Sequence, residues 1–126
     1  MIFKLRTSKQ TMEIFYELGN SIHLQPFALA KISIALSIRD ESALSENDFK
    51  SDNDGLELNR QTITGEYDDL FKALIIGREG IPLLDEVYFP LYLKAHLDRG
   101  AKLLMSEYRY SKGKIYKQLL NLDKSV

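Results

Sequence analysis

Few side chains in this sequence stand where chemistry would need them. His23 and His96 are the only histidines, and neither has a second histidine or a carboxylate beside it in a metal-ligand pattern, so no metal site is expected. The stretch from Asp40 to Glu57 concentrates carboxylates, but without the regular alternation and terminal Glu of a calcium-binding loop, and reads as a solvated loop. Gly77-Arg78-Glu79-Gly80 lacks the Lys-Ser/Thr of a phosphate-binding loop, and Ser111-Lys112 lacks the remainder of a serine-lysine signature. With no cysteine, thiol nucleophiles, zinc-thiolate centres, iron-sulfur clusters and disulfides are excluded. The expectation is a chain that is not an enzyme and carries no cofactor. What remains is a set of cations, Lys4, Arg6, Lys9 and Lys31, whose chemistry is attraction to an anion.

A net charge of −1 argues against nucleic-acid binding if taken as an average. The charges are unevenly spread, however. Residues 1–39 hold five basic and two acidic side chains, residues 40–57 one and seven, and residues 102–126 six and two. An anionic partner would therefore meet the two ends, with the acidic middle kept away from it, and Lys112, Lys114 and Lys117 of the tail would add to the first set.

The elements that must position these cations are mainly helical. Ile2 to Arg6 alternates greasy and basic residues, the period of a short strand. So short a strand needs a partner, and in a chain with few other strand signals a second copy can supply it. Thr7 or Ser8 caps a helix to about Leu18, stopped by Gly19-Asn20. Pro26 opens a second helix to Ile38 that is apolar almost all round, as in a core or a subunit interface. Leu56 to Thr64 reads as extended. An amphipathic helix carries Tyr67, Leu70, Phe71, Leu74 and Ile75, with Glu66, Asp68 and Asp69 complementing its dipole. A last helix starts near Pro90 and runs through Tyr108. The organisation expected is one domain over 1–110 and a basic tail over 111–126. No run is long enough to span a membrane and no cleavable leader is evident, so a cytoplasmic protein is expected.

The segment Leu58-Asn59-Arg60-Gln61-Thr62-Ile63-Thr64-Gly65-Glu66-Tyr67-Asp68-Asp69-Leu70-Phe71 resembles the hallmark of the DndE family of DNA sulfur-modification proteins. Leu93-Lys94-Ala95-His96-Leu97-Asp98-Arg99-Gly100 and Ile32-Ser33-Ile34-Ala35-Leu36-Ser37 resemble two further family segments, in the family's order. At Ala30-Lys31 the chain departs from the Cys-Arg of that pattern, keeping the charge but losing the bidentate fork.

The resemblance implies a ribbon-helix-helix-like, mostly helical fold, a homotetramer, and association with the other Dnd proteins. It also implies binding of duplex and nicked DNA through surface lysines while another subunit carries the sulfur. Lys4, Arg6, Lys9 and Lys31 are the expected DNA contacts. Arg60 and Arg99 are expected to make structural pairs instead, with carboxylates such as Glu57 and Asp98 close by in sequence. Two other readings stay open: an adaptor that joins the modification subunits with little DNA contact, and a ribbon-helix-helix repressor that reads sequence with Lys4 and Arg6.

Overall fold

The computed structural model describes residues 2–111 and 114–122. Lys4–Arg6 forms strand β1, after which Ser8 caps helix α1 (Lys9–Ile22) by accepting the Thr11 N–H at 3.0 Å. The helix runs through the expected stop at Gly19-Asn20 and ends at His23, whose left-handed backbone (φ 59°) aims its N–H at the Gly19 carbonyl. Pro26 sits in the first turn of α2 (Pro26–Arg39), which turns 111° from α1.

The acidic stretch is not all loop, since Ser45 and Asp48 form a reciprocal cap on the single turn α3 (Glu46–Phe49). Strand β2 (Glu57–Asn59) leads into α4 (Arg60–Ile63), a 3₁₀ turn (Gly65–Tyr67) and α5 (Asp68–Glu79), which stops at left-handed Gly80 (φ 76°). The turn α6 (Asp85–Val87), a π-helical segment (Tyr88–Leu93) and α7 (Lys94–Ser111) follow in succession, then α8 (Ile115–Leu122). Mainly α with a short N-terminal strand, as expected, describes the result. Part of the expected basic tail is α8, and its Ile115 is buried in the core.

The stretch from Leu56 to Thr64, expected to be extended, is strand only over Glu57–Asn59 and turns helical over Arg60–Ile63. Two further expectations need correction. Pro90 lies inside the π-helical segment and not at a first helical position. A proline cannot donate to the carbonyl four residues back and its ring crowds that group, and the wider π turn relieves the conflict while Tyr88, Phe89 and Leu93 stay fully buried. The second concerns β1, whose partner is β2 of the same chain, antiparallel, with Lys4 opposite Asn59, Leu5 opposite Leu58 and Arg6 opposite Glu57. Leu5 and Leu58 bury one face of this ribbon together. The ladder continues past both strands through Arg60 N–H to the Phe3 carbonyl (2.7 Å), Thr7 N–H to the Leu56 carbonyl (2.8 Å) and Gly55 N–H to the Thr7 carbonyl (2.9 Å). Such a set of bonds makes a three-residue strand stable without a second copy.

The core centres on α2 crossing α7. Ala30, Ser33 and Ser37 form a small-residue face on α2, and Gly100 of α7 lies so close that a Cβ there would stand 1.7 Å from the Ser33 carbonyl oxygen. Only glycine permits that approach. The Ser33 hydroxyl donates back to the Leu29 carbonyl at 2.7 Å, so burying it leaves no donor unmet. Among the described residues no single helix is long and apolar enough to cross a membrane.

Candidate nucleic-acid interface

Lys4, Arg6 and Lys9 are all exposed along β1 and the first turn of α1, so the fold does bring these three to one strand-turn-helix edge. That edge is held firmly. The Thr7 hydroxyl accepts the Leu56 N–H (2.9 Å) and donates to the Ser8 carbonyl (2.9 Å). The Ser8 N–H donates to Asp98 (3.1 Å), and the Lys9 N–H donates to Asp52 (2.8 Å). Gly55 is packed against the same turn, where a Cβ would stand 2.1 Å from the Ser8 carbonyl oxygen.

Separation of charge along the chain does not become separation in space. Glu57 lies opposite Arg6 and its carboxylate is 3.6 Å from Lys4 Nζ, an exposed pair that solvent screens. Asp52 caps the Lys9 amide, and two backbone N–H groups, of Asp54 and Lys9, hold its pKa below the ordinary value. The acidic stretch thus folds onto the basic edge. Lys31 belongs to a different element, exposed on α2 with its ammonium 5.5 Å from the Phe27 ring centroid. Lys114 and Lys117 are exposed around α8, and Lys112 lies outside the described residues.

The segments that resemble the family are occupied with holding the fold. Arg60 follows β2 and spends all five N–H donors internally: Nε and Nη2 on Asp68 (3.1 and 2.6 Å), Nη1 and Nη2 on Asp85 (3.0 and 2.7 Å), and Nη1 again on the Ile2 carbonyl (2.9 Å). Its Cζ lies 4.5 Å from the Phe89 ring centroid and 5.5 Å from that of Tyr88. Burial alone would raise the Asp68 carboxyl, yet hydrogen bonds from Arg60, Thr64 and Tyr88 hold it below the ordinary range, and Arg60 does the same for Asp85. Burial and the adjacent Asp68 push the Tyr88 phenol far up, so it stays protonated and donates to Asp68 at 3.1 Å. The pairing expected for Arg60 was structural, but its partners are Asp68 and Asp85 in place of Glu57.

Asp98 is likewise paired with a residue other than its neighbour Arg99. Its Oδ1 accepts from the Ser8 N–H and the Thr11 hydroxyl (2.7 Å), and its Oδ2 accepts from the Ser51 hydroxyl and Lys94 Nζ, both at 2.6 Å. Lys94 also donates to Ser51 Oγ (2.8 Å) and the Asp52 carbonyl (2.9 Å), which fills its three donor positions. This buried pair fastens α1 and the acidic loop to α7.

Arg99 donates to the Ser37 hydroxyl (2.8 Å), the Ser37 carbonyl (2.6 Å) and the Ser42 carbonyl (2.7 Å). Since Ser37 Oγ accepts from Arg99, its own proton goes to His96 Nδ1 at 2.8 Å, and His96 Nε2–H then points to Glu79 at 3.3 Å. Burial first, then the Arg99 and Arg78 charges, push the His96 pKa down to about 4, so this histidine is a neutral core residue and its contact with Glu79 is a hydrogen bond. His23 is the exposed αL cap of α1. Among the described residues no group of three or more His, Cys, Asp or Glu side chains could hold a metal ion.

Sequence reasoning missed the Arg60–Asp68–Asp85 and Lys94–Asp98 networks. Asp68 and Asp85 lie 8 and 25 positions from Arg60, too far for a local pattern to signal. The i,i+4 spacing of Lys94 and Asp98 was visible, but nothing local marks that pair as buried.

A family model described as DNA sulphur modification protein DndE matches residues 4–112. The fold is similar to the crystal structure of DndE from Escherichia coli B7A, involved in DNA phosphorothioation modification, with a TM-score of 0.65 and 20% identity over 80% of this chain and 96% of that one. It is equally similar to a double glycine-to-lysine mutant of DndE involved in DNA phosphorothioation, with a TM-score of 0.65 and 19% identity over 82% and 97% of the two chains. No curated protein matches the sequence. Since the family match takes in the ribbon, the α2–α7 crossing and both buried ion networks, the chain belongs to the DndE family of DNA sulphur modification proteins.

Proposed function

We propose that this chain is a non-catalytic DNA-binding and scaffolding subunit of the DNA phosphorothioation machinery, acting as a cytoplasmic homotetramer that holds intact and nicked duplex for the other Dnd proteins. Lys4, Arg6, Lys9 and Lys31 meet backbone phosphates, aided by Lys112, Lys114 and Lys117 of the tail. The observation that carries this reading is the exposed cationic edge on β1 and α1, fastened to the core through Thr7, Ser8 and Asp98, in a chain of a DNA-modification family. An edge held by backbone and side-chain hydrogen bonds presents its charges to a phosphate backbone with little ordering cost. The lack of any cysteine supports assigning the sulfur to a different subunit.

The repressor reading requires β1 to pair with β1 of a second copy, and one edge of β1 is already taken by β2. The adaptor reading predicts little salt dependence. Anisotropy titrations of labelled intact, nicked and sequence-scrambled duplex at rising salt separate these readings. With Lys4→Glu, Arg6→Glu, Lys9→Glu and Lys31→Glu combined, affinity should drop for every duplex alike and the salt slope should shrink by about one per lost contact. A folded quadruple variant with unchanged affinity and slope contradicts the assignment.

A further inference from the structure

A cleft runs along the surface between α1 and α7. Its two adjoining halves, of about 210 and 200 Å³, share Gln10, Ile14, Met105 and Arg109. Ile14 and Met105, both buried, give it an apolar floor. The two helices line it with opposite charge. Glu13 and Glu17 stand on α1, Lys102 and Arg109 on α7, all four exposed and, among the described residues, in no ion pair.

The cleft borders further cations on either helix. Gln10 directly follows Lys9, so the cleft adjoins the edge assigned above to duplex DNA. Arg109 directly precedes Tyr110, which is 76% exposed and, among the described residues, makes no hydrogen bond or ring contact. Lys114 and Lys117 come next, also exposed. Cations beside an apolar floor and an exposed aromatic ring match the chemistry of one unpaired nucleic-acid strand, whose phosphates follow the positive charge while its bases lie on apolar and aromatic surface. A stacked duplex hides its base faces and cannot use such a floor. The carboxylates on α1 suit the same ligand, as acceptors for the exocyclic amino groups that cytosine and adenine carry and thymine lacks.

We propose that the α1–α7 cleft holds a DNA strand freed at a nick, with phosphates on Lys102 and Arg109, a base stacked on Tyr110 and base amino groups turned to Glu13 and Glu17. This rests on the DNA-binding reading above and adds the element that distinguishes nicked from intact duplex, because intact duplex has no free strand to place there.

Anisotropy titrations of the full-length protein test it, with intact duplex and with duplex carrying at a nick a six-nucleotide flap of either deoxycytidine or deoxythymidine. Wild type should bind the deoxycytidine flap about tenfold more tightly than intact duplex and about threefold more tightly than the deoxythymidine flap. Lys102→Gln with Arg109→Gln should abolish the gain from either flap. Tyr110→Ala should reduce that gain about fivefold, while Tyr110→Phe, which keeps the ring, should preserve it. Glu13→Ala with Glu17→Ala should erase the difference between the two flaps. Intact duplex should bind all these variants nearly as it binds wild type. Loss of salt-dependent binding to intact duplex by the wild type would therefore mark failure of the DNA-binding reading, and loss of the flap gain alone marks failure here. Equal affinity of the wild type for intact and flapped duplex, equal binding of the two flaps, or variants that weaken intact and flapped duplex alike overturns the proposal. So does dissociation of a wild-type oligomer by Lys102→Gln with Arg109→Gln in sedimentation, which would make the occupant a second copy.

Discussion

Arg6 and Arg60 flank the same two-stranded ribbon and have opposite fates. Arg6 projects from β1 into solvent and gives one long contact, 3.4 Å, to the Gly55 carbonyl. Arg60, one residue past the end of β2, is 6% exposed and makes five hydrogen bonds inside the protein. The same guanidinium is available to an anion in one place and is a structural clamp in the other. What separates them is the number of carboxylates the fold brings within reach and the water it excludes. Lys4 and Lys94 differ in the same way, one with a screened contact to Glu57, the other fully coordinated around Asp98.

The contrast is sharpest at Asp98. Asp98→Ala would leave the buried Lys94 ammonium, the Ser8 N–H and two hydroxyls without their acceptor, so chemical denaturation should register a loss of about 4 kcal/mol. A loss under about 1 kcal/mol would mean that water replaces the carboxylate. Next in size, Arg60→Met should cost about 3 kcal/mol, because Asp68 and Asp85 then face each other without a cation while the aromatic packing is retained in part. Neither change should alter the salt slope of DNA binding if the variants are measured folded.

The third test concerns pH. His96 is held neutral with a folded pKa of about 4 against about 6.5 in the unfolded chain. Its contribution is fully present above the unfolded value and is lost as pH falls toward the folded one, amounting to about 3 kcal/mol across that interval. Denaturant midpoints measured from pH 7 to pH 4 should fall accordingly, and His96→Gln should flatten the slope through pH 5–6. The smallest expected effect on stability closes the comparison. Arg6→Ala should change stability by no more than about 0.5 kcal/mol yet lower the salt slope of DNA binding by about one. The reverse outcome, lost stability and unaltered binding, would place Arg6 with Arg60.

Much of the local structure was legible in the sequence because it depends on residues within a turn of one another. Ser8 caps α1 through Thr11 and Pro26 begins α2, each for reasons of backbone geometry within one turn. The absence of thiol chemistry follows from composition alone, and the candidate cations Lys4, Arg6, Lys9 and Lys31 are all exposed. Pairing across the chain was another matter. That β1 meets β2, that Pro90 lies within a π-helical segment, and that Glu57 and Asp52 fold onto the basic edge all depend on contacts 43 or more residues apart or on burial of neighbouring aromatics. A sequence specifies which residues carry charge. Whether that charge faces solvent or becomes a strut is decided by distances between segments, because the interaction of two charges depends on their separation and on the water between them, and neither is written in their order along the chain.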